Sequence, residues 1–156
     1  MTNTQKAATK RWIFIPIGIL IFMCLGTVYS WSVFRKPIEE SLAINATQSG
    51  LPYMFFLFFY AVLMPIAGGF IDKYSPKLIT IIGGLVVALG WFLSGFAPNI
   101  QILTLTYGII AGGGVGITYG VPIAVAAKWY PDKKGLAVGL TLLGFGLSPF
   151  LTAPLA

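Results

Sequence analysis

Five long apolar runs, separated by short stretches that hold all the charge, set the pattern along this chain. They extend from about Trp12 to Phe34, Leu51 to Ile71, Leu78 to Ala97, Ile102 to Ala127 and Leu136 to Ala156. Each reaches the roughly 20 residues that a helix rising about 1.5 Å per residue needs to cross a hydrocarbon core about 30 Å thick. Amphipathic periodicity is absent from them, and continuous apolarity is itself the signal for helices that face lipid or one another. The pattern predicts an all-α membrane protein, with a cytoplasmic tail over 1–11 and a transmembrane bundle over 12–156. The last run stops at Ala156 with no polar tail behind it, so the bundle is expected to be truncated.

Composition narrows this further. Of the 156 residues, 57% are hydrophobic and 9% charged, too apolar a mixture for a soluble domain of this length. The basic stretch Lys6, Lys10, Arg11 ahead of the first run resembles a signal peptide. However, the run is longer than a signal h-region, and no small-x-small cleavage site precedes Arg35 and Lys36, so a retained anchor is expected. Cys24 is the single cysteine, which rules out an intramolecular disulfide, and its mid-span position reads as a small packing residue. The net charge of +6 does not point to nucleic acid, because the bases are confined to short loops with no basic stripe.

The distribution of bases predicts orientation. Three Lys/Arg lie in the tail, two in the first loop (Arg35, Lys36), two in the second (Lys73, Lys77), none in the third and three in the fourth (Lys128, Lys133, Lys134). The positive-inside rule therefore puts the N-terminus and loops two and four in the cytoplasm. Glu39 and Glu40 offset the outer bases but weigh little in topology. The first outer loop, around Asn45 to Gln48, is about sixteen residues long on this reading, and Pro98 to Gln101 forms a tight outer turn between helices three and four. The sequon Asn45-Ala46-Thr47 is a chance-level match.

Three blocks carry more specific meaning. The second loop reads Gly68-Gly69-Phe70-Ile71-Asp72-Lys73-Tyr74-Ser75-Pro76-Lys77, and its proline suits the first turn of the next helix. Asp72 can bond to amides at a neighbouring helix start or pair with a base such as Lys128, latching one conformation; a solvated turn is the plain alternative. In the fourth run Gly108, Gly112, Gly116 and Gly120 recur every four residues, a ridge along which another backbone can come close. It reads equally as a rocking surface or as static packing. Gly135 and Gly139 begin a similar face in the fifth run, and Pro122 and Pro65 should bend their helices. The third block is Gly26-Thr27-Val28-Tyr29-Ser30-Trp31-Ser32. Tyr29 and Tyr119 are phenols within charge-free helices, where a buried hydroxyl needs a partner and several around one cavity can hold a carboxylate. Trp31, near the outer end of its run, has the plain reading of an interfacial belt residue.

The second loop resembles the signature loop of the major facilitator superfamily of secondary transporters. With Pro76 after Ser75 it looks like the oxalate:formate antiporter family in particular, and the blocks around Tyr29 and from Gly112 to Gly139 agree in order. The resemblance covers nearly the whole chain from about Trp12. It implies transmembrane helices 1–5 of an N-terminal six-helix bundle, alternating access about a midplane site, and an aromatic cage to which Tyr29 and Tyr119 contribute, with Trp31 as a further substrate-binding candidate. It also implies that basic residues of a missing C-terminal half neutralise the anion. The chain departs from the pattern at Val28, where the family's motif resembles Gln-Tyr, and at Phe145, where a pocket tyrosine is expected. Both changes remove polar groups and favour a less polar monocarboxylate over oxalate. Proton-driven relatives carry an arginine where Gly108 stands, so no proton relay is evident.

These features lead to a secondary transporter of small organic anions, mono- or dicarboxylates. It is expected in a bacterial cytoplasmic membrane, with the lipid bilayer, a small carboxylate and a C-terminal transporter half as partners and with no cofactor, metal or nucleic acid. The alternative is a small non-transporting membrane protein that packs against partner helices through its glycines; sequence past codon 156 distinguishes the two. Enzymatic chemistry is not expected, since the chain has no histidine and its four acids lie in loops.

Overall fold

The computed structural model describes residues 3–152, with side chains from residue 12 onward. Seven α-helices follow one another: α1 (Asn3–Leu25), α2 (Trp31–Leu42), α3 (Ala46–Gly68), α4 (Pro76–Ser94), α5 (Ile100–Leu103), α6 (Gly112–Trp129) and α7 (Lys134–Thr152). A 3-10 stretch, Gly26–Ser30, joins α1 to α2, and a π-helical stretch, Thr104–Ala111, joins α5 to α6. Five continuous helical stretches are long and apolar enough to cross a membrane: Trp12–Leu42, Ala46–Gly68, Pro76–Ser94, Ile100–Trp129 and Lys134–Thr152. Apolar composition thus locates the spans, while capping and helix propensity decide their ends.

The ends differ from the apolar runs in instructive ways. Helix begins at Asn3, inside the expected tail. The first span continues through α2 to Leu42 and reaches 31 residues, about 46 Å at 1.5 Å per residue, so its end projects beyond a core about 30 Å thick. Arg35, Lys36, Glu39 and Glu40 ride on that projecting helix, and the expected sixteen-residue loop shrinks to residues 43–45. Ala43 closes α2 in the left-handed conformation, with φ 50° and ψ 45°. Asn45 then starts α3 through a capping box: its side chain accepts from the Gln48 amide at 2.9 Å, and the Gln48 side chain accepts from the Asn45 amide at 3.2 Å. Ser75 caps α4 with Pro76 in its first turn, and Asn99 caps α5 by accepting from the Ile102 amide at 2.9 Å. The expected end of the fifth span, residues 153–156, lies outside the described residues.

The described residues fall into two compact units, one holding residues 3–29 and 122–152, the other 30–121. In the first, α1 packs along α7 through small residues. A Cβ at Gly18 would lie 2.6 Å from Thr141 Cγ2, one at Gly26 would lie 2.7 Å from Ser148 Cβ, and one at Gly144 would run into the Ile19 backbone. Gly135 and Gly139 take no part: a Cβ at either meets nothing within 4 Å, because both lie on the side of α7 turned from its neighbour. Cys24 is likewise exposed rather than packed.

In the second unit the π-helical stretch and the start of α6 lie between α3 and α4. On one side a Cβ at Gly108 would be 2.8 Å from Phe55 Cβ, one at Gly112 2.8 Å from Phe56 Cα, one at Gly116 2.9 Å from the Tyr60 carbonyl, and one at Gly120 2.9 Å from Ile71 Cδ1. On the other side Gly90 meets Ala111, Gly114 meets Val87, and Gly83 meets Thr118. Lipid gives helices little hydrophobic reason to associate, so this close backbone approach is what holds them. Several hydroxyls in these apolar helices are satisfied by back-bonding to the preceding turn: Thr118 to the Gly114 carbonyl at 3.1 Å, Ser94 to Gly90 at 2.7 Å and Thr141 to Ala137 at 2.8 Å. Pro65 and Pro122 lie inside α3 and α6, which continue past them.

The C-terminal half of α2 is tied to the start of α3 by an ionic cluster. Arg35 donates to Glu39 at 2.9 Å, to Ser49 Oγ at 3.0 Å and to the Ala46 carbonyl at 2.7 Å, and fully buried Ser49 donates to Glu39.

Gly112→Ala should lower the thermal midpoint of the detergent-solubilised protein, by an overpacking cost of about 1–3 kcal/mol. Gly139→Ala should leave the midpoint unchanged or slightly raised; equal losses at the two positions would contradict the packing described.

Candidate functional site

The residues singled out by sequence fall into four places. Tyr29 occupies the 3-10 stretch at the end of α1, half exposed, with its ring edge-on to Phe145 of α7 at 5.2 Å. Phe145 in turn meets Phe22 at 5.8 Å, so the residue that replaces an expected tyrosine is a direct neighbour of Tyr29. Val28 is 2% exposed and packs in the interior. In the other unit Tyr119 of α6 stands edge-on to Tyr60 of α3 at 5.2 Å. The ridge glycine Gly116 permits this, since it brings α6 against the Tyr60 backbone.

Trp31 differs from its expected place. Its indole is 7% exposed, stacked on Tyr107 at 4.7 Å, and so is not part of an exposed interfacial belt. Tyr107 is itself 2% exposed and meets Trp91 edge-on at 5.3 Å and Phe56 at 5.1 Å. Neither Trp31 Nε1 nor the Tyr107 hydroxyl finds a hydrogen-bond partner among the described residues. Tyr107 owes its position to the π-helical stretch, where Thr104 and Thr106 donate to the Ile100 and Ile102 carbonyls at 2.7 and 2.9 Å and so compete with backbone amides for the preceding turn. No spacing in the sequence announces such a bulge. An aromatic cavity of about 210 Å³, lined among others by Trp31, Phe34, Trp91 and Tyr107, lies beside the stack.

The signature loop is a compact turn between α3 and α4. Gly68 ends α3, the amides of Lys73 and Tyr74 donate to the Phe70 carbonyl at 3.0 and 2.9 Å, and Lys73 Nζ lies 5.9 Å from the centre of the Phe70 ring. Asp72 sits within this turn and Lys77 in the first turn of α4. In the first unit, Lys128 is in the last turn of α6 and Lys134 opens α7. No group of residues suited to a metal ion occurs among the described residues.

Comparison with known proteins matches residues 10–156 to the Major Facilitator Superfamily. The chain belongs to this superfamily. It is an integral membrane protein, as its five apolar helices and its family both indicate. It is 34% identical to the oxalate:formate antiporter of Oxalobacter formigenes over 97% of this chain and 38% of that protein. An uncharacterized MFS-type transporter of Escherichia coli (strain K12), YhjX, is 27% identical over 94% of the chain and 36% of its own length. Monocarboxylate transporter 14 of Mus musculus is 38% identical over 58% of the chain and 18% of its own length. The chain thus spans well under half of each of these superfamily relatives.

Tyr107→Phe removes a buried hydroxyl with no partner among the described residues, and an unmet hydroxyl costs about 1–3 kcal/mol. The variant should melt at or above the wild-type temperature; a clear loss of stability would mean that the hydroxyl is satisfied in solution.

Proposed function

We propose that the protein is a secondary transporter of small organic anions, mono- or dicarboxylates of the oxalate and formate kind, working by alternating access between two six-helix halves of which this chain supplies spans 1–5. The carrying observation is the similarity to the oxalate:formate antiporter along 97% of the chain. The overlap with a monocarboxylate transporter supports the same substrate class. These relatives are named as transporters, which speaks for transport rather than catalysis.

The chemistry available here divides the task. Charged side chains from residue 12 onward lie on α2, at helix ends or in turns, and none falls in the five apolar runs, which offer an anion only phenols, hydroxyls and shape. Desolvating a carboxylate against such groups alone is costly, and the compensating positive charge comes from the C-terminal half. Tyr29 and Tyr119 each offer a phenol to the carboxylate, and Trp31 is a further candidate for substrate binding. Phe145 beside Tyr29 makes that part of the site less polar than a tyrosine would, which favours a monocarboxylate. Asp72, with Gly68, Lys73 and Lys77 of the same loop, and Lys128 are the candidate residues of a conformational latch, and the ridge of Gly108, Gly112, Gly116 and Gly120 packs against α3 and the turn that follows it. The Lys/Arg distribution supports a cytoplasmic N-terminus in a bacterial cytoplasmic membrane.

The test is exchange of labelled oxalate, formate, lactate and pyruvate in proteoliposomes holding the full-length gene product. Saturable flux of at least one carboxylate is expected, and absence of flux with all of them would remove the substrate class. Phe145→Tyr should raise the ratio of dicarboxylate to monocarboxylate flux by about tenfold, the worth of one added hydrogen bond to a charged group.

A further inference from the structure

One end of the α1/α7 unit combines an apolar crevice with a basic rim. The crevice, about 140 Å³, is walled by Trp12, Ile15, Leu136 and Leu140. Trp12 and Leu136 are largely exposed, at 63% and 60%. Tyr130 closes one side, its ring edge-on to Trp12 at 6.2 Å, and Phe14 stacks on Trp129 at 4.4 Å close by. Amphipathic aromatics gathered at one end of apolar spans mark the depth at which hydrocarbon gives way to headgroups. The turn at this depth is basic: Lys133 lines the crevice, Lys134 follows it at the first position of α7 and Lys128 precedes it, against the single acid Asp132.

We propose that this crevice seats an anionic phospholipid, with an acyl chain along Trp12, Ile15, Leu136 and Leu140 and the phosphate against Lys133 and Lys134. The walls are too apolar to hold water in preference to a hydrocarbon chain. A further helix covering the crevice would have to bring Lys133 and Lys134 into a low-dielectric contact, which is costly for unpaired ammonium groups. An anionic headgroup turns those charges into attraction, worth roughly fivefold in affinity for each lysine at a membrane surface. A neutral headgroup gains nothing from them. The inference rests on the membrane spans and the charge at their end, and is independent of which carboxylate the protein moves.

The experiment uses the full-length protein in phosphatidylcholine nanodiscs doped with phosphatidylglycerol brominated on its acyl chains, read by tryptophan fluorescence. Brominated phosphatidylglycerol should quench more strongly than brominated phosphatidylcholine, and Trp12→Phe should abolish the difference. Lys133→Gln with Lys134→Gln should weaken the apparent affinity about 25-fold, and Lys133→Arg should retain it. Equal quenching by the two lipids, no quenching of Trp12, or an unchanged affinity in the double variant would overturn the proposal. Should the double variant fail to fold, Lys133→Gln beside Lys133→Arg gives the same reading, with about a fivefold difference expected and none contradicting it.

Discussion

The close approach of backbones at glycine is the constraint on which the rest of this structure depends. In hydrocarbon, apolar side chains gain little by leaving lipid for one another, so helices are held by contacts that only short side chains allow. The π-helical stretch and α6 meet α3 at Gly108, Gly112 and Gly116 and the turn after it at Gly120, and meet α4 through Ala111 and Gly114. In the other unit α1 meets α7 at Gly18, Gly26 and Gly144. Each of these glycines lowers intrinsic helix propensity by up to about 1 kcal/mol relative to alanine. Contact across the interface offsets that loss, and the same contacts set where the tyrosines stand.

Polar chemistry is then fitted around packing rather than the reverse. Thr118 and Thr141 return their hydroxyls to their own helices, which fits them into tight interfaces, while Ser94 bonds both to its own helix and across to Thr106 at 3.0 Å. Charge is excluded to the ends: Arg35, Glu39 and Ser49 tie α2 to α3 beyond the apolar core, and the lysines of the turn before α7 gather beside exposed aromatics. Half-exposed Tyr29 stands beside Phe145, and Tyr119 beside Tyr60. No charged residue lies in the five apolar runs that hold these phenols, and the proposed division of labour between two halves rests on that inventory.

The parts legible in the sequence were those written in long-range regularities. Continuous apolarity located five spans because bilayer thickness imposes a length, and a fourfold glycine period exposed one helix face because it matches the helical turn. Local decisions were harder to read. The extension of the first span through α2 was hidden by Arg35, Lys36, Glu39 and Glu40, which break apolarity without breaking helix. Gly18, Gly26 and Gly144 carry no short period, while Gly135 and Gly139 have the period and no neighbour. The π-helical stretch has no residue signature, so neither the burial of Trp31 nor its stacking on Tyr107 was foreseeable from spacing. Asn45, which reads as a sequon, is instead half of a capping box whose other half, Gln48, lies three residues away in plain view.

The central claim is that phenols on this chain hold the anion while the counter-charge lies elsewhere. It is tested most directly by carboxylate affinity in the full-length protein with Tyr29→Phe, Tyr119→Phe and both changes together, measured by equilibrium binding. Loss of one hydrogen bond to a charged group is worth roughly 1.5–3 kcal/mol, so each single variant should bind at least about tenfold more weakly and the double variant more weakly still. Wild-type affinity in a folded double variant would contradict the account.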